Sequence, residues 1–296
     1  MASRRPWTEH PKVVALRRRS RVADAIVGAI VGFREHQTGR SAALVAHFGF
    51  ISLFPLFLVF TTILGYVLQG NEQLQQDIVD SVLAHLPLIG AKLAQSPQAL
   101  QGSAIALVVG LLLALWSGLK AFVALQGGLD NTYEIAVDDR QGFAGTRVRA
   151  LAAIAVIGLA QAASAFLTTV VTAAGLSAIS NIGIVLAAAV LNAGVLSFTY
   201  RWLTSAELRW RHVLPGAVFA GVLFSLLQLI GTSVIARSQA NAENIYGEFA
   251  TVIALLAWLS LHATIALMGA ELNRAVATST WWPSDAEPRV QTDPTS

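Results

Sequence analysis

Apolar residues run along this chain almost without charged interruption in six stretches, 41–69, 103–125, 150–174, 182–200, 214–236 and 249–270. Each is near or above the ~20 residues that an α-helix needs to cross a ~30 Å hydrocarbon layer. Barrel strands would instead alternate in polarity over ~10-residue segments, so these continuous runs predict membrane helices. From Ala150 to Tyr200 no acidic or basic residue occurs, which is too long for one crossing. Gly175, Ser177, Ser180, Asn181 and Gly183 supply a tight turn there and divide it into two helices. The expected fold is all-α, a polytopic membrane bundle of six transmembrane helices.

Two further stretches have helical periodicity but are not apolar enough to span. Val22, Ile26, Ile30 and Phe33 recur at helical spacing behind a run of cations, which predicts an amphipathic helix lying on a leaflet. Between the first two spans, Leu74, Ile78, Val82 and Leu86 line one face opposite Gln75, Gln76, Asp77 and Asp80, and Pro87 ends the pattern. A short external helix is expected there. The chain thus divides into a basic arm with its interfacial helix (1–40), a six-helix domain (41–274) with an external segment (70–102), and a disordered tail (275–296).

Charge sets the orientation. Of the twenty Lys and Arg residues, all but Lys92 and Arg237 lie before the first span, between the second and third, between the fourth and fifth, or after the sixth, counting Lys120 near the end of the second span with the loop that follows it. Cytoplasmic loops carry the excess of Lys and Arg, so both termini are expected in the cytoplasm of a bacterial inner (plasma) membrane. Tyr200, Trp202 and Trp210 then fall at the inner interface, where amphipathic rings anchor helices. The net charge of +3 follows this topology and forms no basic, aromatic-lined groove, so nucleic acid is not an expected partner. Membrane lipids are, with Arg17, Arg18, Arg19 and Arg21 contacting the lipid surface. Envelope-biogenesis proteins or a second copy of the chain are further expected partners. No cleaved signal peptide is expected, since no short apolar segment with a small-residue cleavage site precedes residue 41.

Polar side chains inside hydrocarbon are costly and mark either helix-helix hydrogen bonds or a wetted path. Gln161, Asn192, Gln228 and His262 sit near mid-depth of the third to sixth spans, with Ser164, Thr168, Ser197 and Ser225 as supplements. They are the candidate substrate path; interhelical bonding is the alternative. Pro55, inside SLFPLFLVF, removes a helical hydrogen bond and is the candidate hinge, with Ser52 one turn earlier to meet a freed carbonyl. Glu271 lies at the cytoplasmic end of the sixth span, where the helix dipole disfavours an anion. A cation must be near, and Lys120, Arg201 and Arg274 are the candidates for a cytoplasmic latch. The polar residues of 126–149, Asp130 and Glu134 among them, are expected to pair with one another at a helix end. Small residues such as Gly216, Ala220 and Gly221 allow close helix approach.

Catalytic signatures are missing. There is no cysteine, the six histidines show no metal-ligand spacing, and no Gly-rich phosphate loop or Gly-x-Ser-x-Gly elbow occurs. No catalytic residue, metal or cofactor is expected.

Specific strings narrow the reading. Ser-Ala-Ala-Leu (41–44) with Ser-Leu-Phe-Pro-Leu (52–56), Trp116 with Leu129, Asp130, Asn131, Tyr133 and Glu134, Leu-Pro-Gly-Ala (214–217), and Tyr246, Gly247 and Trp258 with Gly-Ala-Glu-Leu-Asn (269–273) together resemble the YihY/BrkB family of bacterial inner-membrane proteins, including its YhjD-like members. The likeness runs roughly from Val22 to Arg274 and departs from the usual pattern at His47 and Glu248. It implies a six-helix membrane protein of a family once labelled ribonuclease BN and elsewhere called a virulence factor, with members suspected of handling envelope lipids. The leading expectation is a transporter or flippase-like protein for an amphiphilic or anionic substrate. A non-transporting scaffold for envelope biogenesis is the alternative, and a membrane-tethered ribonuclease or hydrolase the third reading.

Overall fold

Four helices of the computed structural model are long and apolar enough to cross a membrane, within Thr38–Val59, Leu107–Thr132, Trp210–Leu227 and Val252–Thr278. The structure describes residues 11–67, 104–173, 180–227 and 249–279, and among them there is no strand. In chain order the helices are α1 (Pro11–Arg19), α2 (Arg21–Glu35), α3 (Thr38–Val67), α4 (Ala104–Thr132), α5 (Phe143–Ala173) and α6 (Ser180–Leu203). They are followed by α7 (Trp210–Leu227) and α8 (Phe249–Thr278). A 3-10 turn at Val137–Asp139 separates α4 from α5. The third and fourth predicted spans fall on α5 and α6, continuous helices of 31 and 24 residues. The predicted external helix, the turn at 174–179 and residues 280–296 lie outside the described residues.

Lipid is the solvent that this surface demands. Ile105, Leu112, Phe54, Leu159 and Val190 are all more than 60% exposed, and such side chains recur along whole helices. Contiguous apolar surface on that scale is not tolerated in water.

Inside, the bundle is held by small residues and by hydrogen bonds. α3 packs along α4 and α8, α5 along α6 and α4, and α2 along α8. Helices attract one another weakly within lipid, so close backbone approach and interhelical bonds carry the packing. A Cβ on Gly221 would lie 2.7 Å from the Ala193 amide nitrogen, so α6 and α7 meet almost backbone to backbone. Tyr200 is completely buried and donates its hydroxyl to the Ala266 carbonyl at 2.6 Å. It therefore ties α6 to α8 and is not the interfacial anchor that its place at a span end predicts. Trp202 and Trp210 remain exposed.

Element ends also differ from the sequence reading. α4 runs to Thr132, past residue 126 where a loop is predicted, and α8 runs to Thr278, beyond residue 274 where the bundle is predicted to stop. α4 extends with Gln126, Asp130 and Thr132 buried, which the apolar pattern cannot register, and α8 extends with Ala275 buried against Gly28 of α2. α3 continues through Pro55. The Ser52 hydroxyl donates to the Gly49 carbonyl at 2.6 Å, not to the Ile51 carbonyl that proline leaves without an amide.

Candidate functional site

The densest polar construction among the described residues surrounds Glu271. Its carboxylate is 1% exposed, a state that an ionised group tolerates only when fully hydrogen-bonded. Thr38 Oγ1 donates to Oε1 at 2.5 Å and Thr132 Oγ1 at 3.1 Å, while His36 Nδ1 lies 3.0 Å from both carboxylate oxygens. The other ring nitrogen, Nε2, lies 3.4 Å from Glu134 Oε1, and Arg274 donates to that same oxygen. Four segments converge here: the end of α2, the start of α3, the end of α4 and the last turns of α8.

The backbone explains how residues so distant in sequence meet. Gln37, at φ 52°, and Glu134, at φ 54°, occupy the left-handed region, which non-glycine residues rarely adopt. Gln37 turns the chain between α2 and α3 so that His36 and Thr38 face the same carboxylate. Glu134 ends α4 and leaves Thr132 and Glu134 on one side of the cluster. Strained positions of this kind persist where the surroundings over-determine them. Gly32 on α2 completes the fit, since a Cβ there would overlap Glu271 Oε2.

A second buried carboxylate fastens the α6–α7 connection. Asp130, 2% exposed, accepts from Thr204 Oγ1 at 3.0 Å, from the Ser205 amide at 2.7 Å and from Ser205 Oγ at 3.0 Å. Arg149 donates to the Thr204 carbonyl at 2.7 Å. The expected pairing among the residues of 126–149 is thus replaced by bonds to distant segments: Asp130 to the 204–205 turn, Glu134 to Arg274 and His36. Arg140 and Arg147 stay local, Arg140 donating to Asn131 Oδ1 at 2.8 Å and Arg147 to the Phe143 carbonyl at 3.2 Å.

Of the latch candidates, Arg274 enters the cluster through Glu134, not through Glu271 itself. Lys120 instead lies over the Trp116 ring at 3.7 Å, with Phe48 at 5.6 Å, and Arg201 lies over Trp210 at 4.6 Å. Cation–π contact explains why neither reaches the carboxylate. The partner that sequence reasoning missed is His36. A histidine at the end of an amphipathic helix, next to a short connection, was its one visible signal.

The mid-depth candidates are only partly brought together. Asn192 Nδ2 on α6 donates to Ser225 Oγ on α7 at 3.2 Å, and the Ser225 hydroxyl in turn donates to the Gly221 carbonyl at 3.0 Å. His262 Nδ1 lies 2.9 Å from the Trp258 carbonyl one turn back, and its ring packs on Phe224 at 4.9 Å and Trp258 at 4.7 Å. Asn192 and His262 thus touch adjacent residues of α7 without touching each other. The Gln161 side chain and Gln228 lie outside the described residues. Among the basic-arm candidates, Arg17 Nε donates to Asp24 at 2.7 Å, whereas Arg18, Arg19 and Arg21 are exposed. Val22, Ile26 and Ile30 are exposed beside them, because α2 docks on α8 through its small face, with Gly28 against Ala275.

The Arg274 bond, ahead of an opposing effect of burial, holds the Glu134 carboxyl below its ordinary value of 4.5. A carboxyl lowered on folding contributes stability that is present above the unfolded value and lost as pH falls through the folded one. Glu134→Gln is therefore expected to melt slightly below the parent at neutral pH, with the difference vanishing as the buffer is taken below 4.5. Thermal melts in detergent across that range check it. The effect is small because the side chain is 62% exposed and screened by water.

Comparison with known proteins follows the same lines. The family described as Virulence factor BrkB matches residues 29–291. A UPF0761 membrane protein of Alkalilimnicola ehrlichii is 26% identical over 83% of this chain and 56% of its own length. The putative ribonuclease-like protein YfkH of Bacillus subtilis is 23% identical over 80% of this chain and 90% of its own. A UPF0761 membrane protein of Methylibium petroleiphilum is 35% identical, over 27% of this chain. That alignment spans only 19% of the relative's length. No solved structure matches the chain.

Proposed function

Given that the chain belongs to the Virulence factor BrkB family of membrane proteins, we propose that it is a transporter or flippase-like protein of the bacterial inner membrane, moving an envelope lipid or another amphiphilic or anionic cargo. Six helices cross, α3 to α8, with both termini in the cytoplasm. The cations that orient it, Arg149, Arg201 and Arg274 among them, lie at the same helix ends as the Glu271 cluster. The observation that carries the reading is the Glu271 carboxylate itself, 1% exposed at the end of a membrane helix and bonded to three other segments through His36, Thr38 and Thr132. Ionisable groups buried at membrane helices mark ion and substrate pathways by default, since their retention costs stability that packing alone does not require. The cluster closes the cytoplasmic end of the bundle. Gln161, Asn192, Gln228 and His262 line the path above it, and Pro55 permits half of α3 to move.

The exposed apolar row of α2, with Arg18, Arg19 and Arg21, lies on the inner leaflet. Near an anionic surface each cation contributes about 1 kcal/mol, which holds the arm at the membrane.

The Asn192–Ser225 pair supports a second reading. Two polar groups that satisfy each other are what a filled, non-transporting scaffold requires. Reconstitution in liposomes separates the two, with dithionite bleaching of fluorescent phospholipids reporting scrambling and a trapped dye reporting solute entry. Movement that is lost in Asn192→Leu supports the transporter. Inactivity of the parent chain under every imposed gradient favours the scaffold. The ribonuclease-like name printed for the Bacillus subtilis relative belongs to that protein. No observation on the described residues of this chain favours it.

A further inference from the structure

A carboxylate that is 1% exposed cannot exchange protons with water directly, and two of the three groups bonded to it are threonine hydroxyls held between helices. The third is an imidazole, the one side chain able to accept a proton on one nitrogen while releasing another from the second. His36 is placed for this. Nδ1 lies on Glu271 at 3.0 Å, and Nε2 points outward to Glu134, whose side chain is 62% exposed. A polar cavity of about 310 Å³ opens alongside, lined by Arg17, Asp24, Gly32, Glu35 and Arg274 among others. Gly32 is its contact with the cluster, lying against both Glu271 Oε2 and the His36 ring. Gly32 separates this cavity from the carboxylate and the imidazole alike, so the open side of the ring is the one at Nε2, where Glu134 is 62% exposed while Glu271 is 1% exposed.

From this arrangement we infer that His36 is a proton relay between the solvent beside Glu134 and Glu271, so that Glu271 is the proton-binding site of the bundle. The inference deepens the transport reading and rests on it for its purpose: it names the proton as the coupling ion. One passage balances simply. A hydronium ion in the solvent beside Glu134 gives a proton to Nε2 and leaves as water. Nδ1 gives its proton to the Glu271 carboxylate, leaving a neutral ring of the other tautomer and a neutral acid. The return passage reverses both transfers, and no electrons change hands.

The surrounding charges fit the assignment. Glu134, held ionised by Arg274, faces the outer nitrogen and favours arrival of a proton there; it positions the ring without itself carrying the proton. Glu35 and Asp24 from α2 and Arg17 from α1 face the cavity, the last two already paired with each other. Tyr133 from the end of α4 faces Glu271, and its phenol is pushed upward by burial, by an amount that the nearby Asn273 side chain reduces and Glu271 adds to. It therefore stays neutral, and His36 is the route left to the carboxylate. The left-handed backbone at Gln37 and Glu134 fixes the spacing of the three groups.

Infrared difference spectra of the full-length chain in lipid vesicles, recorded after a rapid pH drop, test the relay. A protonated-carboxyl band is expected to grow in, to be absent from Glu271→Gln and to shift in frequency in Glu271→Asp, the variant that decides the assignment should the amide fail to fold. In His36→Gln the band is expected to grow in more slowly by about a hundredfold, the scale on which a positioned acid–base group accelerates proton transfer. In Glu134→Gln a smaller slowing is expected, since the ring loses only its outer guide. A band indifferent to Glu271, or equally fast growth without His36, overturns the inference. Transport is read separately, by cargo movement in the same vesicles under a pH gradient. A band that depends on His36 without any cargo movement sustains the relay and sinks the transport reading, whereas gradient-driven movement that survives Glu271→Gln overturns the relay alone.

Discussion

Glu271→Ala is expected to lower the stability of the detergent-solubilised protein by about 3–5 kcal/mol, since it leaves three buried partners without their acceptor at about 1–3 kcal/mol each. At this chain length that corresponds to a fall in Tm of roughly 6–20 °C. The carboxylate is the common acceptor for Thr38, Thr132 and His36, so its loss detaches α8 from the α2–α3 turn and from the end of α4 in one step. His36→Ala is expected to cost a comparable amount, because it leaves the charge buried at 1% exposure with two hydroxyls as its remaining partners. The double variant is expected to cost far less than the sum. A coupling of at least about 1 kcal/mol in that cycle is the mark of a direct pair. The seven tryptophans give an intrinsic fluorescence readout of the melts. Additive losses would show that Glu271 and His36 do not hold each other.

Much of this construction was legible before any coordinates, and the boundary of what was legible is physical. Long apolar runs specify membrane helices because the bilayer accepts little else, and described helices fall on each of the six predicted stretches. The expectation of a cation at Glu271 came from the helix dipole alone. Its partner in the structure did not follow: Arg274 reaches Glu134 instead, and Lys120 and Arg201 lie over aromatic rings. His36 is 235 positions from Glu271, and the left-handed turn at Gln37 that aims it carries no glycine to announce itself. Tyr200 failed as an anchor for a similar reason. An aromatic at a span end reads as interfacial, and only the crossing of α6 with α8 shows that its hydroxyl is spent on the Ala266 carbonyl. Asn192 and His262 were recognisable as costly residues in hydrocarbon, yet their actual partners, Ser225 and the Trp258 carbonyl, depend on helix rotation that a uniformly apolar helix does not encode.

Gly216→Ala is expected to destabilise the bundle by about 3 kcal/mol, at the upper end of the usual range for overpacking. α7 and α8 cross at this point with almost nothing between them. A Cβ on Gly216 would overlap the Gly269 carbonyl oxygen and come within 2.7 Å of the Asn273 side-chain carbon. Both obstacles are rigid. One is helix backbone, and the other is an amide whose Oδ1 already accepts the Gly216 N–H at 2.6 Å. Relief requires the helices to separate, and separation has a further consequence because Gly269 and Asn273 flank Glu271 on α8. Moving this stretch of α8 pulls the carboxylate from Thr38 and Thr132, so the variant is expected to weaken the buried cluster as well as the crossing. Gly158→Ala on α5 is the matched control: an added Cβ there meets open space. With no clash, it is expected to gain about 0.5–1 kcal/mol from the better helix propensity of alanine. Melts of the two variants beside the parent chain decide the matter. Equal transition temperatures for Gly216→Ala and Gly158→Ala would mean that α7 and α8 do not meet backbone to backbone, and the position assigned to Glu271 would fall with that contact.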